Sequence, residues 1–135
     1  MVPYSGTRIR HMAKILIVED DLPNRSLLAT FARRAGFEVL PAGSVGEAQD
    51  ILRDTLPALI LMDIRIPGGD GVTLTRQIKA DPRTAHIPVI AVTATMALLG
   101  EEEARQAGFA ALVTKPIELS ELERTIRALL GEGAG

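Results

Sequence analysis

Hydrophobic residues follow two alternating patterns from Lys14 onward. Short runs rich in β-branched residues predict strands, and longer stretches with apolar positions three or four residues apart predict helices. The predicted strands are Ile15–Val18, Glu38–Leu40, Leu59–Met62, Val89–Val92 and Ala111–Val113. The runs ILIV and LILM are apolar at every position, which is typical of strands covered by helices on both faces. We therefore expect the first and third strands in the middle of a sheet.

The first and third helices are predicted by apolar spacing and by their boundaries. Pro23 near the start and Gly36 past the end frame the first helix, because each residue's backbone preference suits that position. Its apolar positions are Leu27, Leu28, Phe31 and Ala35. The third helix is predicted from Val72 to Ala80, ending before Pro82.

The second and fifth helices are predicted by capping signals. Ser44 with Glu47, and Ser120 with Glu123, have the serine-x-x-acid spacing of a capping box. The fourth helix is predicted between Leu98 and Ala107, where three glutamates and few large apolar residues occur. We expect that helix to be exposed and loosely held.

Strands that alternate with helices predict an α/β fold with right-handed crossovers. We expect a flavodoxin-like, doubly wound, five-stranded parallel sheet of order 2-1-3-4-5, with five helices in three layers. A chain of 135 residues with 47% hydrophobic content is the size of one domain. We assign residues 13–131 to that domain, residues 1–12 to a flexible leader or expression remnant, and residues 132–135 to a disordered tail.

Composition excludes several classes of function. The formal net charge of −2 gives no reason to expect nucleic acid as a partner. Without cysteines the chain can form neither a disulfide nor a cysteine metal site, and His11 and His86 cannot build a zinc site alone. Because no apolar run approaches the length of a membrane span, we expect a soluble, cytoplasmic protein without membrane contact.

The residues that follow the predicted strands are polar and chemically complementary. Glu19, Asp20 and Asp21 follow the first strand, Asp63 the third, and Thr93 the fourth, whereas Lys115 and Pro116 come just after the fifth. Ligands of doubly wound sheets bind outside the carboxyl ends of the strands. These residues are therefore expected to surround one crevice.

Carboxylates crowded into one crevice repel one another unless a cation joins them. Oxygen ligands favour a hard cation, and Mg²⁺ commonly takes one or two carboxylates. We expect direct ligation by Asp20, Asp63 and the backbone carbonyl of Arg65, with Glu19 reaching the ion through water. The alternative is that the acids after the first strand cap the next helix, as Asp21 suits.

Asp63 is a carboxylate at the start of a loop, and such a group can act as a nucleophile toward phosphorus. Phosphoryl transfer requires in-line positioning and neutralised oxygens, which Mg²⁺, the Lys115 ammonium, the Thr93 hydroxyl and nearby N–H groups would provide. Taken singly, Thr93 suits any strand and Lys115 could be an ordinary solvated lysine. The segment Pro67 to Gly71 lacks a nucleotide-binding pattern and is predicted to be a turn.

The blocks KILIVEDD, LILMDIRIPGGDG, PVIAVTA and VTKP, in this order and spacing, resemble the signature of response-regulator receiver domains from Lys14 to about Leu130. The resemblance implies magnesium-dependent phosphorylation of Asp63 by a histidine kinase or a histidine phosphotransfer protein. It implies an acidic pocket that contains Glu19 and Asp20. It also implies phosphoryl-binding and switch roles for Thr93, Ala94, Lys115 and Pro116, with a cis bond between the last two.

The segments DDLPNRSLL, HIPVIAVTA and TKPI are similar to single-domain regulators of the DivK kind. We therefore expect a stand-alone signalling switch that is no enzyme beyond its own phosphorylation and dephosphorylation. Its downstream protein partner is expected on helix four, strand five and helix five. Leu112 stands where many receivers have a switching Tyr or Phe, so a shift of an aliphatic side chain is expected there. Ile66 replaces a frequent Met, and Arg65 and Thr95 fill variable positions beside the phosphate.

Two other hypotheses remain open at the level of sequence. One is a phosphatase of the haloacid dehalogenase type, which also uses an Asp after a strand. That family has a second acid two residues later, where this chain has Arg65. The other is a receiver-like module that binds partners without being phosphorylated.

Overall fold

The computed structural model describes residues 13–94 and 101–131. Its strands are β1 (Lys14–Val18), β2 (Glu38–Ala42), β3 (Leu59–Asp63), β4 (Arg65–Ile66), β5 (Gly69–Asp70), β6 (Val89–Thr93) and β7 (Ala111–Thr114). Its helices are α1 (Leu22–Arg34), α2 (Val45–Asp54), α3 (Gly71–Ala80), α4 (Glu101–Ala107) and α5 (Leu119–Leu130). The predicted leader, the predicted tail, Leu98 and Thr95 lie outside the described residues.

Five strands form a parallel sheet of order β2-β1-β3-β6-β7. Strands β4 and β5 form a separate two-stranded antiparallel hairpin. When the strands of the large sheet are counted alone, their order is 2-1-3-4-5, so the predicted doubly wound fold is confirmed. The five predicted strands all occur, each longer than predicted by one or two residues.

Each face of the sheet has its own hydrophobic core. Leu16, Val18, Ile60 and Met62 point to the core that includes buried residues of α2, α3 and α4. Ile15, Ile17, Leu59 and Leu61 point to the core that includes buried residues of α1 and α5. Successive residues of a strand face opposite sides, so two covered faces require an apolar residue at every position from Ile15 to Val18 and from Leu59 to Met62. The predicted three layers are confirmed.

The helix starts agree only in part with the predicted capping boxes. Ser44 Oγ accepts a hydrogen bond from the Glu47 N–H at 3.1 Å, as predicted for α2. Ser120 is not the cap of α5, and that prediction is wrong. Helix α5 begins at Leu119, and the cap is the carboxylate of Glu118, which accepts from the Glu121 N–H at 2.8 Å. The Ser120 hydroxyl lies within the first turn and donates to the same carboxylate.

The buried face of α1 is displaced from the predicted one. Leu28, Ala29 and Ala32 are buried, whereas Leu27 is 47% exposed. Gly36 has φ of 100°, which explains why a glycine follows this helix. Among the described residues, no helix is long and apolar enough to cross a membrane.

The segment after β3, which was predicted to be a turn, contains a short antiparallel hairpin. Arg65–Ile66 and Gly69–Asp70 pair as the β4–β5 hairpin, and α3 begins directly after it. The N–H of Gly71 donates to the Ile64 carbonyl at 2.7 Å. A Cβ at Gly71 would lie 2.9 Å from both the Ile64 Cα and the Met62 Cγ, and closer still to the Asp63 carbonyl oxygen. The start of α3 therefore lies directly against the end of β3.

Candidate functional site

Sheet register places the polar residues predicted at the strand ends in one crevice. Val18 is paired with Met62, so Glu19, the residue after β1, lies beside Asp63 at the end of β3. Asp63 is paired in turn with Val92, next to Thr93 at the end of β6. Glu19 is 1% exposed, Asp63 8% and Thr93 2%, which is low for polar residues. Such burial requires partners for the two carboxylates.

Lys115 provides one of these partners. Its Nζ lies 2.8 Å from Glu19 Oε1 and 3.0 Å from Asp63 Oδ2, and its side chain is 18% exposed. The Lys115 N–H also donates to the Thr93 carbonyl at 2.9 Å, which continues the contact between β6 and β7. The bond from Lys115 to Pro116 is cis, as the resemblance implied. Lys115 is therefore not an ordinary solvated lysine.

The remaining carboxylate oxygens accept backbone hydrogen bonds. Asp63 Oδ1 accepts from the Arg65 N–H at 3.1 Å, and Glu19 Oε2 accepts from the Asp21 N–H at 3.0 Å. The Asp21 carboxylate accepts from the Asn24 N–H at 2.9 Å and caps α1. The capping alternative is thus confirmed for Asp21. Glu19 instead points into the crevice.

Burial raises the pKa of Glu19 above its ordinary value, although the hydrogen bond from Lys115 opposes this shift. The neighbouring Asp63 raises it further. Burial alone would lower the pKa of Lys115, but the hydrogen bonds to Glu19 and Asp63 outweigh burial and raise it. The lysine is therefore a permanent cation between two acids at neutral pH.

Three carboxylates are close enough to share a cation. Glu19, Asp20 and Asp63 each offer an oxygen, and these oxygens lie within 4.8 Å of one another. Glu19 and Asp63 are buried, whereas Asp20 is exposed at the entrance. An oxygen-only donor set with one solvent-facing member fits a hard cation that retains water, as Mg²⁺ does. Arg65, whose carbonyl was predicted to be a further ligand, lines the same cleft.

The cleft has a volume of about 380 Å³, more than ten times the roughly 30 Å³ that one water occupies in the liquid, so a phosphoryl group and a hydrated ion can fit. It is lined by Glu19, Asp20, Asp21, Asn24, Asp63, Arg65, Thr93, Ala94 and Lys115. Leu112 lies elsewhere, half-buried on β7 opposite Ala91.

The sequence analysis missed Asn24 and Arg25, which reach the site from the first turn of α1. Arg25 Nη1 donates to the backbone carbonyl of Glu19 at 3.0 Å. The signal that could have identified Arg25 is its spacing: it lies four residues after Asp21, so a helix starting there returns its side chain toward the acidic loop.

The chain is thus an α/β protein with a doubly wound parallel sheet, an acidic cleft at the carboxyl edge of that sheet, and a lysine that joins two of the acids. The family model for the response regulator receiver domain matches residues 15–127. The chain therefore belongs to the response regulator receiver domain family.

Relatives and solved structures agree with this membership. The polar-differentiation response regulator DivK of Brucella ovis is 40% identical over 118 residues, which are 87% of this chain and 96% of that protein. The receiver domain of the sensor histidine kinase PA1611 of Pseudomonas aeruginosa PAO1 has a TM-score of 0.81 and 31% identity, covering 88% of this chain and 98% of that one. That structure contains a magnesium ion coordinated in the active site cleft. A CheY-like receiver domain protein from Methanospirillum hungatei JF-1 has a TM-score of 0.82 and 26% identity, with coverage of 90% and 95%.

Proposed function

We propose that this chain is a stand-alone response regulator that accepts a phosphoryl group from a phosphohistidine onto Asp63 in a magnesium-dependent reaction. The observation that carries the proposal is the setting of the Asp63 carboxylate. One of its oxygens accepts from the Lys115 ammonium and the other from the Arg65 N–H, within a cluster of two further acids. The likeness to DivK over 96% of that protein's length supports the stand-alone form. We place the reaction in the cytoplasm, where kinases draw phosphoryl groups from ATP.

In the proposed transfer, an Asp63 carboxylate oxygen forms a bond to phosphorus while the bond from phosphorus to the donor imidazole nitrogen breaks. The imidazole nitrogen keeps the electron pair and takes a proton from solvent. Backbone and lysine contacts fix the carboxylate before the donor arrives, which removes orientational freedom from the reacting pair. Lys115, the Thr93 hydroxyl and the Ala94 backbone would then bind the new phosphoryl oxygens.

Magnesium would be held directly by the carboxylates of Asp20 and Asp63 and by the backbone carbonyl of Arg65. Glu19 would contact the ion through a water molecule. The bound ion supplies neutralisation of the negative charge on the phosphoryl oxygens. The carboxylates in this cluster fit such an ion, and the magnesium in the cleft of the PA1611 receiver domain supports the assignment.

The test is incubation with magnesium and acetyl phosphate, followed by intact mass measurement. We expect one added phosphoryl group in the wild type and none in Asp63→Ala. Asp50→Ala is the matched control, because Asp50 is an exposed aspartate of α2 whose partner is Arg53. Unchanged phosphorylation of Asp63→Ala would contradict the assignment of the site.

A second variant tests the metal. Asp20→Asn keeps the size of the side chain but removes a charge from the cluster, so it should weaken magnesium binding and slow phosphoryl transfer. Equal magnesium affinity in the variant would rule out Asp20 as a ligand.

Two different measurements distinguish the two other hypotheses. A haloacid dehalogenase-type phosphatase requires a second acid two residues after the nucleophile, and Arg65 stands there on β4. Turnover of small phosphate esters that depends on Asp63 would favour that enzyme. Absence of any added mass in the wild type would favour a binding module that is not phosphorylated.

We propose that the output surface is the one formed by α4, β7 and α5. A groove of about 520 Å³ lies there, lined by residues that include Phe109, Leu112 and Glu121. A phosphoryl group adds about 1.5 to 2 negative charges, and the Thr93 and Lys115 side chains would move toward it. Thr93 is paired with Thr114, which lines the groove, and Lys115 directly follows Thr114 in the chain. Leu112 of β7 would shift its packing. The expected partner is a histidine kinase or a histidine phosphotransfer protein, which would be recognised by charge and shape.

Hydrogen exchange with and without beryllofluoride, which mimics the phosphoryl group, tests this surface. Altered exchange in residues 101–131 is expected. Changes confined to the loops around Asp63 would show that α4, β7 and α5 do not form the output surface.

A further inference from the structure

We propose that Arg25 is a positioning residue that holds the acidic loop after β1 in the conformation required for cation binding, and that Gly43 leaves the space its guanidinium occupies. This inference rests on the proposed magnesium site. It concerns the peptide that joins Glu19 to Asp20, which Arg25 contacts from α1.

Glu19 is held at all four of its polar positions. Its N–H donates to the Ala42 carbonyl at 2.9 Å, and its two carboxylate oxygens accept from Lys115 and from the Asp21 N–H. The fourth contact is from Arg25 Nη1 to the Glu19 carbonyl oxygen at 3.0 Å. A hydrogen bond with a charged donor is about twice as strong as a neutral one.

The carbonyl that Arg25 holds belongs to the peptide leading into Asp20. Asp20 is exposed, and among the described residues no hydrogen bond reaches its carboxylate. The direction of its side chain therefore depends on the backbone from which it extends. By fixing the preceding peptide, Arg25 fixes where the Asp20 carboxylate stands relative to Glu19 and Asp63.

The turn between β2 and α2 supplies independent evidence. A Cβ at Gly43 would lie 2.8 Å from Arg25 Nη1, nearer than real Cβ contacts allow. Gly43 does not have positive φ, so its backbone would accept an alanine. What requires glycine here is the passage of the guanidinium to the Glu19 carbonyl.

This geometry makes Gly43→Ala a second probe of Arg25. The nearest atom to the new methyl group would be the tip of the flexible Arg25 side chain, which can move away at small cost to the fold, and Glu47 Oε1 at 3.4 Å would be in ordinary contact. The substitution should therefore displace the guanidinium while leaving its charge in the protein. Arg25→Met removes both the charge and the hydrogen bond but keeps an unbranched side chain.

The experiment measures magnesium affinity by titration calorimetry and the rate of phosphorylation by acetyl phosphate as magnesium is varied. Arg25→Met and Gly43→Ala should each weaken magnesium binding about tenfold, the low end of the loss seen when a residue that orients a metal ligand is removed. The maximal rate at saturating magnesium should stay within about twofold of the wild type. Arg25→Lys should recover part of the affinity, because an ammonium can also donate to the carbonyl.

Arg33→Met is the matched control, since Arg33 is an exposed arginine in the last turn of the same helix. It removes the same charge and should leave the affinity unchanged. In the double variant Arg25→Met/Gly43→Ala the losses should not add, because both substitutions break one contact. Urea unfolding without magnesium verifies that each variant is folded.

Several results would overturn the inference. Wild-type affinity in Arg25→Met, an equal loss in Arg33→Met, or additive losses in the double variant would each show that the proposed contact does not position the loop. If wild-type protein itself shows no magnesium dependence, the proposed function fails and the inference fails with it.

Discussion

Replacing Gly71 by alanine should sharply destabilise the protein, because the start of α3 lies against the strand that carries Asp63. The added Cβ would stand 2.9 Å from the Ile64 Cα and from the Met62 Cγ, and nearer still to the Asp63 carbonyl oxygen. Two of these three neighbours are backbone atoms, so a change of side-chain rotamer cannot relieve the clash.

The expected magnitude follows from two destabilising contributions and one stabilising contribution. Overpacking a tight site costs about 1–3 kcal/mol. Distorting the 2.7 Å hydrogen bond from Gly71 to Ile64 adds about 1 kcal/mol. The gain from replacing a helical glycine offsets at most about 1 kcal/mol of this loss. We expect a net decrease of about 2 kcal/mol in the free energy of unfolding, which a domain with a stability of about 5–15 kcal/mol can survive.

Urea unfolding followed by circular dichroism gives this free energy, and Gly46→Ala provides the matched control. Gly46 lies in the first turn of α2, where a new Cβ would meet only Ser44 Oγ at 4.0 Å. That variant should be as stable as the wild type or more stable by about 0.5–1 kcal/mol. A loss below about 1 kcal/mol in Gly71→Ala would refute the close approach of α3 to β3.

Three further substitutions test the electrostatics and packing of the fold. Lys115→Met leaves two buried carboxylates unpaired and should lower the free energy of unfolding at pH 7 by about 3 kcal/mol. Because the pKa of Lys115 is raised above its ordinary 10.5, this difference should persist as the pH is raised from 7 and should shrink only above 10.5. A loss that already shrinks between pH 7 and about 9 would contradict the pairing. Thr75→Val should stabilise the protein by about 1 kcal/mol, since the Thr75 hydroxyl is buried without a partner among the described residues; a lower urea midpoint would show that it has one. The pKa of Glu118 is lowered by the hydrogen bonds that its carboxylate accepts from Ser120 and from the Glu121 N–H. The cap therefore stabilises the folded protein above the ordinary pKa of 4.5, and this contribution to the free energy of unfolding is lost as the pH falls below that value. The urea midpoint of Glu118→Gln should therefore lie below that of the wild type at pH 7 and approach it in acid, and a constant gap would argue against this cap.

Much of the architecture was predictable because its signals are local. Continuous apolar runs identified β1 and β3 as covered strands, and the polar residues that follow four strands had to meet at one edge of a parallel sheet. The cap of α5 was not predictable in this way. Ser120 and Glu118 are both able to cap a helix, and only the position of the first turn decides between them.

The contacts of the site depend on geometry that no spacing rule contains. The sequence indicated that Lys115 belongs to the crevice, but it did not indicate that its ammonium would join Glu19 and Asp63. The contact from Arg25 to the Glu19 carbonyl depends on the orientation of one peptide and on the absence of a side chain at Gly43. The hairpin β4–β5 escaped prediction because strands of two residues carry no periodicity.

Because the site residues lie at the ends of strands, the residues that hold the site are largely different from the residues on the outward faces of the helices. Asp63 and Thr93 are the last residues of β3 and β6, which are held in place by pairing with their neighbours in the buried sheet. Glu19 directly follows β1. Among the described residues, the hydrogen bonds that reach Glu19 and Asp63 come from residues outside the helices, except for the one from Arg25 at the start of α1. The outward faces of the helices can therefore change charge and shape, and with them the partners that bind, without altering the chemistry at the edge of the sheet.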